Sequence, residues 1–180
     1  MKQKIQAQEE KKETKENPMR AMFIEKIVLS ASGVDVDLER AEKLLNIISG
    51  KKSQVITSTK RIPDFGVRPG LKVGVRVTIR GKKALKLLGR LLGAKENTLN
   101  EKQISSNHFS FGIPEYIEIP EMEYQRDIGT RGLNVTVDFA RAGLRVKRKK
   151  IKSGPVPQKQ HVSKEEIIKF MEDNFSTQFE

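Results

Sequence analysis

The stretch LKVGVRVTIRGKK, residues 71–83, alternates strictly: Leu71, Val73, Val75, Val77 and Ile79 are apolar, while Lys72, Gly74, Arg76, Thr78 and Arg80 are not. A period of two is that of a β-strand with one buried and one outward face. Every charge on the outward face is positive, and Lys82 and Lys83 follow at once. An ordinary solvated sheet face mixes both signs, so this strand predicts a half-covered sheet whose open side meets a polyanion.

The distribution of charge over the 180 residues agrees. The net charge is +12, but it is segregated: residues 51–95 carry 13 basic side chains against Asp64 alone, and residues 139–164 carry nine and no acid. Residues 96–138 hold three basic and eight acidic groups. Blocks of one sign repel themselves unless a polyanion neutralises them, and solubility alone does not require such segregation. There is no cysteine, so disulfides, thiolate metal sites and a cysteine nucleophile are excluded. No apolar run approaches the roughly 18–20 residues of a membrane span. The opening MKQKIQAQEEKKETKENPMR lacks the apolar centre of a secretory signal. The expectation is a cytoplasmic protein with no membrane contact.

Outward from residues 71–83, the chain divides into four. Residues 1–19 read as a polar tail, unstructured or weakly helical, 20–140 as an RNA-binding domain, 141–162 as a basic extension and 163–180 as an amphipathic helix. Strands are expected at FIEKIVLS (23–30), SQVITSTK (53–60), 71–79, around Phe109 and Phe111, and at GLNVTVDFA (132–140). The helix after the first strand should bury Leu38, Ala41, Leu44, Leu45 and Ile48, with Asp35 or Asp37 capping its start and Gly50 ending it. KKALKLLGRLLGAK predicts a second helix with Leu85, Leu88 and Leu92 inward, Leu91 beside them, and Lys82, Lys83, Lys86 and Arg90 outside. SKEEIIKFMEDNF opens with a Ser163–Glu166 capping box and turns Ile167, Phe170 and Met171 inward. About five strands and three helices without one-for-one crossovers favour an α+β fold: a mostly antiparallel sheet with helices packed on one face.

Chemistry of the enzymatic kind finds little footing. His108 and His161, the only histidines, have no neighbour at metal-ligand spacing, and GVRPGLKVG lacks the G-K-[ST] ending and following helix of a phosphate loop. A nuclease would want carboxylates within the basic surface, where only Asp64 lies. No catalytic residue, metal or cofactor is expected. Binding explains more. Lys and Arg neutralise phosphates, and Thr57, Ser58, Thr59 and Thr78 can donate to phosphate or ribose 2′-hydroxyls. Aromatic residues make up 6% of the chain and tryptophan is absent, which disfavours a base-stacking platform and favours a protein that clasps folded RNA.

Five stretches in order, NPMR…IEKIVLS, AEKLLNIISGKK, RIPDFGVRPGLKVGVRVTIRG, HFSFGIPEYIEIP and GLNVTVDFARAGLRVKR, resemble the large-subunit ribosomal protein family that binds 5S rRNA in the central protuberance, the L-five family, in its archaeal branch. The resemblance covers residues 17–175. It implies an α+β fold, no enzymatic activity, and a contact surface for 5S rRNA and neighbouring large-subunit rRNA. The family's aromatic loop residue and long-strand threonine fall on Phe65 and Thr78. Its asparagine ending the first strand is Ser30 here, and its glutamine after the first helix is Lys51; both are departures. On the sheet and its flanks, the residues expected to meet RNA are Ser30, Lys51, Lys52, Thr57, Thr59, Phe65, Lys72, Arg76, Thr78, Arg80, Lys82 and Lys83. In the extension they are Arg145, Lys147, Arg148, Lys149, Lys150 and Lys152, a segment expected to order on rRNA.

The same resemblance implies that the loop 61–70 reaches P-site tRNA, through Arg61, Asp64, Gly66 and Arg68. The acidic stretch 115–127 would face a neighbouring ribosomal protein of the central protuberance, or a small-subunit protein across the intersubunit bridge. The alternative to a ribosomal role is a free RNA chaperone or RNA-binding subunit using the same basic sheet face.

Overall fold

The alternation of residues 71–79 is that of the observed strand β3 (Lys72–Ile79): Val75, Val77 and Ile79 are buried, while Lys72, Arg76 and the following Arg80 are exposed. The computed structural model describes residues 18–180, so residues 1–17 of the expected tail lie outside the described residues. Together with β1 (Met22–Ser32), β2 (Gln54–Thr57), β5 (Ile104–Ser105), β6 (His108–Ile113) and β7 (Leu133–Arg141), β3 forms a six-stranded antiparallel sheet. The strand order is β2-β3-β1-β7-β6-β5. A separate parallel pair joins β4 (Thr98–Leu99) to β8 (Gln178–Phe179). Neither β5 nor the β4–β8 pair is expected from the sequence, because two residues are too few to display a period.

Helices cover one face. The first, α1 (Val36–Ser49), buries Leu38, Ala41, Leu44, Leu45 and Ile48, and ends at Gly50, whose φ of 61° lets its N–H donate to the Asn46 carbonyl at 2.9 Å. Its start differs from expectation. Asp35 occupies the capping position without a side-chain capping bond, and Asp37 instead pairs with Arg131 at 2.5 Å. Arg131 also donates to the Ser32 carbonyl at 3.1 Å, so one guanidinium ties the end of β1 and the approach to β7 onto the first turn of α1.

The second helix, α2 (Lys82–Gly93), buries Ala84, Leu87, Leu88, Leu91 and Leu92. Leu85, expected inward, is 45% exposed. The buried stripe is centred near Ala84, Leu88 and Leu91, and Leu85 lies a full residue step, roughly 100°, round from Ala84.

Beyond β7 come a single turn, α3 (Arg145–Arg148), and the last helix, α4 (Lys164–Phe175). The capping box is present: Glu166 N–H donates to Ser163 Oγ at 3.3 Å, and Ser163 N–H donates to Glu166 Oε2 at 2.9 Å. Ile167 and Met171 belong to the same core as the sheet, and the Phe170 ring meets Phe139 edge-on at 5.7 Å. Arg141, whose side chain is 8% exposed, joins the end of β7 to this helix through Glu166 at 2.5 Å and donates to the Lys159 carbonyl at 3.3 Å.

The basic extension is folded back along this route. Gln160 Nε2 donates to the Ala142 carbonyl at 2.5 Å, and Arg148 pairs with Glu25 of β1. Glu25 is available because β1 has a bulge: the register against β7 shifts between Ile24 and Lys26. A bond from Arg148 holds the Glu25 carboxyl below its ordinary 4.5, against a burial that pushes it up. Burial also pushes Glu166 up, but the Ser163 N–H and the Arg141 charge outweigh it and leave that carboxyl lowered as well.

Two expectations follow from these contacts. Leu88→Ala should cost about 2–5 kcal/mol of unfolding free energy, and Leu85→Ala under about 0.5 kcal/mol, as read from urea titrations; equal costs would contradict the stripe. Both depressed carboxylates stabilise the fold above pH 4.5, and that contribution is lost as pH falls through their lowered values. The acid limb of the Tm–pH profile should therefore be shallower in Glu25→Gln and in Glu166→Gln than in the wild type, and superimposable limbs would refute the pairing.

Candidate nucleic-acid interface

Among the described residues, the face opposite the helices is open except at the end where Arg148 meets Glu25, and the strand register arranges its side chains in rows. One row runs Gln54, Arg76, Ser30, Asn134, Gly112 across β2, β3, β1, β7 and β6. The next runs Thr78, Val28, Thr136, Ser110. A third contains Lys26, Asp138 and His108, beside Arg80 at the end of β3. Thr57 pairs with Lys72 past a shift in the β2 register. Lys72, Arg76, Arg80, Thr78 and Ser30, expected as one set, are thus brought together.

The electrostatics of this face are uneven. Lys26 pairs with Asp138 at 2.9 Å, and Arg148 with Glu25, so the two carboxylates at this end are already matched by cations. Lys72, Arg76 and Arg80 form no ion pair among the described residues. Arg76 Nε instead donates to Gln54 Oε1 at 3.1 Å, which fixes the plane of its guanidinium while its terminal nitrogens make no other hydrogen bond among the described residues. Exposed cations without an ion pair, such as Lys72 and Arg76, are what a phosphate backbone requires, whereas the Arg80 charge also helps hold the Glu25 carboxyl down.

The loop 61–70 projects from the sheet edge on a closed stem. Ser58 N–H donates to the Leu71 carbonyl and Gly70 N–H to the Ser58 carbonyl, both at 2.8 Å. Ile62 and Val67 then bridge in both directions. Pro63–Phe65 forms one tight turn that Gly66 closes with φ 62°. At its tip Phe65 is 77% exposed, flanked by exposed Arg61, Asp64 and Arg68. An apolar ring held out by a rigid stem, with two arginines beside it, can stack on a base or ribose while the cations meet phosphates.

Other expected residues lie elsewhere. Lys83 lines a groove with Lys86, Arg90, Ile48 and Ser49 on the helix side, across the sheet from Arg76. Lys51 and Lys52 are exposed just before β2, and Thr59 in the stem. In the extension, Arg145, Lys147, Lys149, Lys150 and Lys152 are exposed, but Arg148 is engaged by Glu25 and so differs from its neighbours. The acidic stretch is anchored by buried Tyr116 and Ile119, and Arg90 holds it to α2 through the Pro120 carbonyl at 3.1 Å and Glu121 at 3.3 Å; Glu115, Glu118 and Glu123 remain exposed.

Gln54, Asn134, Thr136 and Lys26 were not singled out by sequence. The alternation of LNVTVDF does place Asn134, Thr136 and Asp138 on one side of a strand, but only the register shows which cations they stand beside. Among the described residues no group of His, Asp or Glu is placed to hold a metal ion.

Comparison with known proteins agrees with this geometry. Residues 72–170 match the model of the ribosomal L-five family C-terminus. A protein named large ribosomal subunit protein uL5 from Archaeoglobus fulgidus is 39% identical over 166 residues, 91% of this chain and 93% of the relative. Its namesake from Nanoarchaeum equitans is 39% identical over 167 residues, 91% and 98% of the two chains. That from Sulfurisphaera tokodaii is 35% identical over 164 residues, 89% and 93%. The family model and the open basic sheet converge, and this chain belongs to the ribosomal L-five family.

Proposed function

We propose that this protein binds 5S rRNA and adjacent large-subunit rRNA in the central protuberance of the cytoplasmic ribosome through the open face of its sheet, and touches P-site tRNA with the loop 61–70. Membership of the family makes it a structural, non-enzymatic constituent of the large ribosomal subunit. The observation that carries the finer reading is the face itself. Among the described residues α1, α2 and α4 leave it open and only the turn α3 reaches one end; Lys72, Arg76 and Arg80 stand on it without ion-pair partners among the described residues, while Thr78 and Ser30 lie between them.

In a ribonucleoprotein such a division of surfaces gives each layer one task. The helix layer closes the core, the sheet meets RNA, and the exposed basic side chains of the extension add phosphate contacts at one end. The exposed Glu115, Glu118 and Glu123 suit a protein neighbour in the same assembly, since they would repel RNA. A free RNA chaperone would use the same cations without distinguishing one RNA from another.

The test is titration with an archaeal 5S rRNA, a scrambled RNA of equal length and duplex DNA at several salt concentrations. Tight binding confined to 5S rRNA is expected, with log affinity falling linearly in log salt. Arg76→Glu or Arg80→Glu should weaken it and reduce the slope by about 0.7–0.9 for each phosphate no longer neutralised. Equal affinity for all three nucleic acids would overturn the ribosomal specificity in favour of the chaperone. Arg61→Ala with Arg68→Ala should leave 5S rRNA binding unchanged and lower P-site tRNA affinity of subunits carrying the variant; unchanged tRNA affinity would remove the loop from that role.

A further inference from the structure

At the far end of the open face, between the ends of β1 and β6 and the start of β7, lies an open cleft of about 650 Å³ lined by Ser30, Ser32, Lys95, Thr130, Arg131 and Asn134 among others. We propose that this cleft takes an unpaired nucleotide of the bound RNA, and that Asn134, beside Ser30 and the Gln54–Arg76 pair, reads the edge of its base. The inference rests on the RNA-binding reading above and adds residues that it does not use.

The argument begins with hydrogen-bonding capacity. A phosphate has only acceptors, so a site for phosphate alone is lined with donors. A base edge presents donors and acceptors side by side, and amide and hydroxyl side chains match it because they offer both. The row across the sheet is of the second kind. It carries an amide at Gln54, a guanidinium at Arg76, a hydroxyl at Ser30 and an amide at Asn134, with no carboxylate. Gln54 Oε1 is engaged by Arg76 at 3.1 Å. Asn134 is exposed, and its side chain makes no hydrogen bond among the described residues, so both its donor and its acceptor are free.

The surroundings fit the same ligand. The cleft is open to solvent, which suits a nucleotide that stays joined to its chain at both ends. Gly112, opposite Asn134, carries no side chain; a Cβ there would stand 3.2 Å from Asn134 Oδ1, so glycine leaves the amide room to turn. Arg131 forms a fixed wall, held by Asp37 at 2.5 Å and the Ser32 carbonyl at 3.1 Å. Lys95, which has no ion pair among the described residues, lines the cleft, and Arg76 stands next to Ser30 in the same row as Asn134; both cations can meet flanking phosphates. An unpaired nucleotide fits best, because the deep major groove of A-form RNA hides its base edges and duplex minor grooves are recognised chiefly by shape and 2′-hydroxyls. The lining side chains include no aromatic ring, so edge contacts rather than stacking would carry the discrimination.

The experiment compares wild type, Asn134→Ala and Arg76→Ala against an archaeal 5S rRNA and a scrambled RNA of equal length, across salt, with dimethyl sulfate probing of base edges in each complex. Asn134 is exposed, and matching Tm values establish that its variant is folded. Asn134→Ala should lose roughly tenfold to hundredfold affinity for 5S rRNA, none for the scrambled RNA, and keep the wild-type salt slope. One base protected by the wild type should become reactive. Arg76→Ala should instead lower affinity and slope for both RNAs. Asn134→Ala binding 5S rRNA within about twofold, with the wild-type protections intact, would overturn the proposal while leaving the RNA-binding reading standing. A wild type that fails to distinguish the two RNAs would overturn both.

Discussion

β1 is hydrogen-bonded along both edges, to β3 on one side and β7 on the other, and everything functional about the molecule depends on that double registry. Because side chains alternate with a period of two, a slip of one residue would send Leu29 and Ile27 to solvent and Ser30 into the core. The register is fixed by burial: Ile27 and Leu29 meet Val77 and Ile79 of β3 and Val135 and Val137 of β7, all facing α1 and α2. With the apolar side so determined, the positions of Arg76, Ser30 and Asn134 on the other side follow without further choice. The core thus specifies which side chains share the open row.

The one break in that regularity is also used. The bulge between Ile24 and Lys26 adds a residue to β1 where the basic extension returns, and lets both Glu25 and Lys26 meet partners at that end, Arg148 and Asp138. The open face consequently has two characters. At one end acid and base are paired within the protein, and the extension is held down; along β3, Lys72 and Arg76 form no ion pair among the described residues. Long-range repulsion between two strongly basic blocks is relieved where they approach through carboxylates drawn from otherwise neutral or acidic stretches.

Much of this was legible beforehand. The period of two in residues 71–79, the helical stripe from Leu38 to Ile48, the Gly50 stop and the Ser163–Glu166 box are local patterns, and each is present in the fold. What failed was also local in form but tertiary in cause. Leu85 sits at the edge of a stripe whose centre is chosen by where the sheet lies, and Asp37 is drawn from capping by an arginine 94 positions away in sequence. Lys83 follows the basic strand directly, yet the chain turns at Gly81, and α2 carries Lys83 to the other side of the sheet.

By itself, the sequence determined the fold class and the strand that carries the exposed basic row, because periodicity and charge segregation are written in neighbouring residues. It could not determine which residues from distant strands share a row. Gln54, Arg76, Ser30 and Asn134 are scattered over 105 residues of chain and become one surface only through antiparallel pairing. Nor could it show that Arg148, one of six candidate cations in the extension, is held by a carboxylate 123 residues earlier. Those decisions belong to the tertiary structure, since hydrogen-bonded register and ion pairing act between groups that the chain brings together only on folding.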